Sequence, residues 1–281
     1  MKQSPDLYLS TLMLRRRLSE CTPAEYEAFL DAAAAAGCAG ICLATLDHHV
    51  ARAAGKSDAE LVAAIRARGL AAPIVEAVLG WAQGQDDAAI EAEVGPAVAL
   101  AASAGASVLT AVSLDASLDL AVAAGGFRRV CEIAAGAGLG VALEFLPWGA
   151  IPEIGVAWDL VQRAGAPNGG ILLDTWHWQR RRGGPDFASL ERIPGDRILV
   201  LQLSDAAPAE GDDLMRESIQ ARLLPGEGAI DYTGLFACLE RIGARPIVAP
   251  EVFNRALAEQ GPALMARRVA ETSRAVLAAY G

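Results

Sequence analysis

An apolar, β-branched run followed by a helix-period pattern recurs eight times along this chain, and that recurrence limits what it can fold into. The strand-like runs occupy residues 7–14, 40–45, 72–79, 107–114, 140–147, 169–177, 197–205 and 246–253. Helical patterns lie at 22–37, 57–69, 90–104, up to 136, at 152–164, 187–192, 231–243 and 262–279. The first helix carries its own start signals: Thr22 as N-cap, Pro23 at the first helical position and Glu25 completing a capping box, with Gly37 as the stop. Apolar strands alternating with helices predict a parallel sheet whose outer face is covered. Eight such units in 281 residues fit a (β/α)8 TIM barrel better than an open doubly wound sheet. No GxGxxG follows the first run, so the dinucleotide-binding alternative lacks its signature. With no linker or break in composition, residues 1–281 are expected to form a single domain.

What the chain is short of removes several chemistries. It has two lysines, Lys2 at the terminus and Lys56 in a polar stretch, so Schiff-base catalysis has no candidate in a barrel mouth. Three histidines (His48, His49, His177) and five cysteines without CxxC spacing cannot furnish a multi-zinc site. The cysteines, Cys21, Cys38, Cys42, Cys131 and Cys238, are odd in number and read as buried free thiols. A net charge of −10 argues against nucleic-acid partners. The N-terminal run is too short for a signal peptide, and no uninterrupted apolar stretch reaches membrane-spanning length. The expectation is a cytoplasmic protein with no membrane association, and homo-oligomers are compatible with it.

Active sites of such barrels sit at the C-terminal ends of the strands. Polar residues interrupt the apolar runs there on four consecutive strands: Glu144, Asp174, Gln202 and Glu251. A buried carboxylate costs several kcal/mol unless paired or metal-bound. No lysine or arginine shares these strand ends. Three carboxylates and one amide oxygen therefore point to a hard divalent cation, Mn2+ or Mg2+ in the first place, with Co2+ or Zn2+ as alternatives.

The pieces around these residues, LEF at Glu144, LLDTWH with Asp174 and His177, LQLSDA with Gln202 and Asp205, RLLPGEG with Arg222 and PEVF with Glu251, resemble the xylose-isomerase-like barrel superfamily. That superfamily holds sugar (phosphate) isomerases and epimerases, inosose dehydratase and 3-dehydroshikimate dehydratase. The resemblance implies one divalent metal on Glu144, Asp174, Gln202 and Glu251. It further implies His177 near the substrate and Arg222 on substrate oxygens. Gln202 stands where sugar epimerases typically show histidine; a glutamine followed by SDA looks more like the dehydroshikimate dehydratases.

Proton removal next to a carbonyl needs a carboxylate base and positive charge at the enediolate oxygen. Glu144 and Glu251 are the expected bases, with His177 as a further acid or base. The leading expectation is a metal-dependent isomerase or epimerase acting on a sugar, polyol or cyclitol ketone; the runner-up is a dehydratase of the dehydroshikimate or inosose type. A nuclease on a similar barrel would need more histidines and a basic groove. Trp148, Trp176 and Trp178, close to Glu144 and Asp174, are expected to wall the substrate. His48 and His49 are placed on the loop after the second strand, where solvated side chains are weighed against one of them, His49, lining the pocket. Glu76 is balanced between a pocket residue and a salt bridge. Residues 179–182 and Arg15, Arg16 and Arg17 are weighed as anion binders against solvated loops. The long insertion 206–228 suggests a lid.

Overall fold

A computed structural model of the chain describes residues 6–14 and 22–279, apart from the side chain of His48; Arg15, Arg16, Arg17 and Cys21 lie outside the described residues. The strands are β1 (Tyr8–Ser10), β2 (Gly40–Ala44), β3 (Ala71–Val78), β4 (Val108–Ala111), β5 (Gly140–Glu144), β6 (Gly169–Asp174), β7 (Ile198–Leu203) and β8 (Ile247–Pro250). They pair in that order, all parallel. A parallel bridge between Leu7 and Val248 joins the last strand to the first. The fold is the expected TIM barrel.

Around it run α1 (Pro23–Ala35), α2 (Thr45–Ala53), α3 (Asp58–Arg66), α4 (Asp87–Ala104), α5 (Leu120–Ala135), α6 (Ile154–Ala164), α7 (Thr175–Arg180), α8 (Phe187–Glu191), α9 (Leu214–Gln220), α10 (Tyr232–Arg241), α11 (Arg255–Ala258) and α12 (Pro262–Ala278). Thr22 and Glu25 form the expected capping box of α1, and Gly37 takes a φ of 67° just beyond its end. Ser57 and Glu60 cap α3 in the same way. Three details depart from expectation. His48 and His49 stand on a helix, α2, rather than on a loop. The sixth strand stops at Asp174, whose side chain caps α7, so that His177 is helical. The 206–228 insertion contains α9. Cys38, Cys42, Cys131 and Cys238 are free and buried. Among the described residues no helix is long and apolar enough to cross a membrane.

The lumen is built on the two-residue period of strands. Cys42, Ile74, Val108, Ala142, Leu172, Val200 and Ala249, one from each of β2–β8, form a buried apolar plug with Tyr8 of β1 packed against it. Two residues further along each chain, the next inward positions are Ser10, Ala44, Glu76, Thr110, Glu144, Asp174, Gln202 and Glu251. Seven of these eight are polar. The barrel thus has a dry floor and, above it at the C-terminal end, a polar ring.

Outside the barrel, Trp81 is fully buried, donates its indole N–H to the Val112 carbonyl and meets Phe127 edge-to-face at 5.7 Å. This packing needs Gly126 on α5, because a Cβ there would lie 1.9 Å from the Trp81 carbonyl oxygen. Gly126→Ala is expected to destabilise the barrel by about 1–3 kcal/mol, read as a lower urea midpoint; an unchanged midpoint would refute the close approach.

Candidate active site

The polar ring opens into a cavity of about 310 Å³ whose lining includes Glu76, Thr110, Glu144, Gln202 and Glu251 from the strands. Trp148, His177, Arg222, Phe253 and His49 line it from the loops and helices above. This volume suits a small, compact ligand.

Asp174 is fully buried and works in two directions. One oxygen caps α7, accepting from the Trp176 N–H at 2.7 Å and the His177 N–H at 3.0 Å. The other accepts from Arg222 Nη1 at 2.6 Å. Burial pushes this carboxyl up, but the charges of Arg222 and His177, with these hydrogen bonds, outweigh it and hold Asp174 below the usual carboxylate range. The second oxygen, with one such bond, keeps a lone pair for a further ligand.

Arg222 corrects the expectation that no cation reaches these strand ends. It arrives from the segment after β7, and its guanidinium also lies 3.5 Å from Glu251 Oε2. Its remaining N–H groups donate to the Ser218 carbonyl at 2.7 Å and the Ser218 hydroxyl at 3.0 Å. Phe253 and Trp176 flank the guanidinium at 4.9 and 5.5 Å. The role expected of Arg222, holding substrate oxygens, thus competes with bonds it already makes inside the protein.

The segment that delivers Arg222 is pinned rather than hinged like a lid. Asp205 accepts N–H bonds from Ala206, Gly226 and Ile230 and exchanges backbone bonds with Leu223. Arg180 is buried against Glu217 and donates to the carbonyls of Ala207 and Ala209. Arg181 is paired with Glu153. Two of the arginines weighed as anion binders are therefore structural.

His177 Nε2 lies 3.3 Å from Glu144 Oε1 and 3.3 Å from Arg222 Nη2. Donation by arginine needs a lone pair on that nitrogen, whereas donation to Glu144 needs a proton there. The roles of the imidazole towards the two neighbours are therefore set by its tautomer. Its Nδ1 is buried without a hydrogen-bond partner. Trp148 and Trp176 pack edge-on to its ring at 5.2 and 5.4 Å. Of the three tryptophans expected as a wall, Trp148 lines the cavity. Trp176 is buried between Arg222 and Arg180, and Trp178 is buried against Phe187; neither is part of the cavity wall.

Glu76 is more central than a balanced reading of it allows. It is buried, accepts from the Ser10 hydroxyl at 2.5 Å and, from the far side of the barrel, from Gln202 Nε2 at 3.3 Å. The same hydroxyl lies 3.0 Å from Glu251 Oε1. Burial raises the Glu76 carboxyl to about 8, against the lowering effect of the Ser10 hydrogen bond, and the nearby Glu144 charge adds to the rise. Burial and then Glu76 raise Glu251 well above its ordinary value, against the pull of Arg222.

A divalent cation fits this donor set. Glu144, Asp174 and His177 each offer an atom within 4.8 Å of the others. Gln202 Oε1 is buried without a hydrogen-bond partner, an arrangement that costs about 1–3 kcal/mol unless something else satisfies the oxygen.

Two outcomes are expected. Arg222→Met strands the buried Asp174 and costs about 3–5 kcal/mol of stability in urea unfolding; a loss below 1 kcal/mol would show that the pair is not a buried one. In metal-free protein, the folded state keeps protons on Glu76 and Glu251 that the unfolded chain releases. Stability then falls as pH rises from about 4.5 towards about 8. Glu76→Gln should remove Glu76's share of that slope, and a slope left at full size would remove Glu76 as its source.

The sequence profile of the xylose isomerase-like TIM barrel family matches residues 30–277. Over 148 residues, 52% of the chain, the sequence is 35% identical to the 3-dehydroshikimate dehydratase of Pseudomonas aeruginosa, covering 23% of that protein. Over 154 residues, 54% of the chain, it is 28% identical to the inosose isomerase of Bacillus velezensis, covering 53% of it. The chain thus spans 23% and 53% of the lengths of these two curated relatives. The crystal structure of the IolI protein with a zinc atom superposes at a TM-score of 0.84 and 18% identity, covering 98% of this chain and 99% of that one. L-ribulose 3-epimerase superposes at 0.73 and 16% identity, over 98% and 95%. These structural likenesses are likenesses of fold. With its profile running from the first helix of the barrel into the last, the chain belongs to the xylose isomerase-like TIM barrel family.

Proposed function

We propose that the protein is a divalent-metal-dependent lyase that removes water from a cyclic hydroxy-ketone, starting with proton abstraction next to the carbonyl. The observation that carries this reading is the asymmetry of the two glutamates expected as bases. Glu251 is enclosed by Ser10 and Arg222, with its side chain 5% exposed. Glu144 is 14% exposed and faces His177. Proton-transfer capacity is concentrated on one flank of the cavity. Returning a proton to another carbon or face favours two opposed bases, whereas elimination needs one flank only. The 35% identity to a protein named 3-dehydroshikimate dehydratase supports the same choice. The isomerase reading keeps two supports: Glu251 also lines the cavity, and another relative is named inosose isomerase.

Glu144, Asp174, Gln202 and Glu251 are the residues to hold the metal. The mostly oxygen donor set favours Mn2+ or Mg2+, and the nearness of His177 keeps Co2+ and Zn2+ open. A bound cation would supply positive charge to the substrate's carbonyl and developing enolate oxygen without changing any protonation state. Glu144 takes the proton from the carbon next to the carbonyl and passes it across 3.3 Å to His177 Nε2. His177 delivers it to the hydroxyl on the next carbon, which leaves as water while the carbon–carbon double bond forms. One proton moves from carbon to oxygen, and the two side chains end as they began. Leu12, Leu46, Val112, Leu146, Trp148 and Phe253 keep bulk water from the enolate.

In deuterated water, 3-dehydroshikimate and inosose are the substrates to follow by NMR. Loss of water with a new conjugated double bond is expected, abolished by chelation and restored by Mn2+ or Mg2+. His177→Asn should lower turnover by about 10²–10⁴-fold. Deuterium entering the ketone without dehydration would replace the lyase by an isomerase. Full activity in metal-free protein would end the metal-dependent reading.

A further inference from the structure

We infer that Glu76 is a positioning residue for the metal site: it reaches across the barrel lumen and turns the amide of Gln202 so that its oxygen, not its nitrogen, is presented to the cation. The inference rests on the metal reading above and concerns a residue outside the proposed ligand set.

A glutamine amide can bind a cation only through oxygen, yet its two ends are almost equal in shape, and torsion about the last bond is broad. Something must choose between them. Gln202 stands on β7 and Glu76 on β3, four strands apart in a barrel of eight, so the two side chains meet from opposite walls. Glu76 Oε2 accepts from Gln202 Nε2 at 3.3 Å. Amide geometry then turns Oε1 to the other side, where it is buried with no hydrogen-bond partner. With Glu76 ionised, the state a bound cation favours, the opposite orientation would set the amide oxygen against a carboxylate oxygen and turn two N–H donors towards the ligands.

Glu76 is itself held. Ser10 on β1 donates to its Oε1 at 2.5 Å and lies 3.0 Å from Oε1 of Glu251. Between Ser10 and Glu76 around the ring stands Ala44 of β2, whose methyl leaves the space that the contact crosses. One hydroxyl therefore ties the support of Gln202 to Glu251, a second proposed ligand. Such outer partners fix the orientation of first-contact ligands, and their loss lowers metal affinity by about 10–100-fold.

The test uses the full chain, stripped of metal and titrated with Mn2+ and Co2+ against a chromophoric chelator. Glu76→Met keeps the volume but removes the acceptor, and is expected to weaken binding by about 10–100-fold and to change the Co2+ visible spectrum. Glu76→Gln keeps a carbonyl acceptor and is expected to bind within a few-fold of the natural protein. Circular dichroism and urea midpoints confirm that each variant is folded; if Glu76→Met is not, Glu76→Ala carries the same expectation. Natural-level affinity and an unchanged Co2+ spectrum in a folded Glu76→Met protein would overturn the role of Glu76 and leave the metal site standing. Equal weakening in Glu76→Gln would also overturn it, since charge rather than an acceptor would then matter. No binding of either metal by the natural chain would overturn the metal reading and this inference together.

Discussion

Four carboxyl groups brought into one nearly dry lumen set the terms for everything around them. Glu76, Glu144 and Asp174 come from β3, β5 and β6 and Glu251 directly follows β8, and three of the four are buried. Like charges in a poorly solvated space cannot all remain ionised without compensation. Among the described residues one guanidinium, that of Arg222, meets them, at Asp174 and Glu251. The remaining mismatch appears as raised affinity for protons on Glu76 and Glu251. A site with more negative charge than its own cations can balance is one that draws in an external cation.

The need to bring Arg222 into the lumen explains the construction of the segment after β7. Asp205 gathers three backbone N–H groups, and Tyr232 donates its hydroxyl to the Ser204 carbonyl at 2.8 Å. The residues beside Arg222 are bound to the end of β8: the Arg222 N–H donates to the Phe253 carbonyl, and the Asn254 amide donates to the Arg222 carbonyl at 2.9 Å. An insertion that looks like a lid by length is an arm fixed at several points. Its function in the fold is to carry one charge to the place where the strands lack it.

Much of this was legible in the sequence, and the parts that were not share a cause. Alternation of strand and helix patterns is a local property, so the barrel and the strand positions of Glu144, Asp174, Gln202 and Glu251 follow from neighbours in the chain. The same two-residue count, run from Ile74 and from Tyr8, would have placed Glu76 and Ser10 in the ring. Without that count Glu76 stands singly, and a buried glutamate seen singly is as readily a salt bridge. Arg222 is not legible as a partner for the strand ends because it is 48 residues from Asp174 in sequence and reaches it through a fold-back no local pattern records. The helix α2 escaped because TLDHHVARA is polar and follows directly on a strand. The apolar run extends the strand to His177, whereas the Asp174 side chain, bonded to the next N–H groups, is what ends it.

The double duty of Asp174 makes two properties inseparable that a looser design would keep apart. The carboxylate proposed as a metal ligand is also the cap that starts α7, and α7 carries His177. Any displacement of that carboxylate also tilts the first turn of the helix and moves the imidazole relative to Glu144. The site therefore has a gearing: the proposed ion-binding group and the proposed proton carrier advance or retreat together. Adaptation to a new ligand is then easiest through the side chains of the rim, such as Leu12, Leu46, Leu114 and Ile219, which lie outside this linkage.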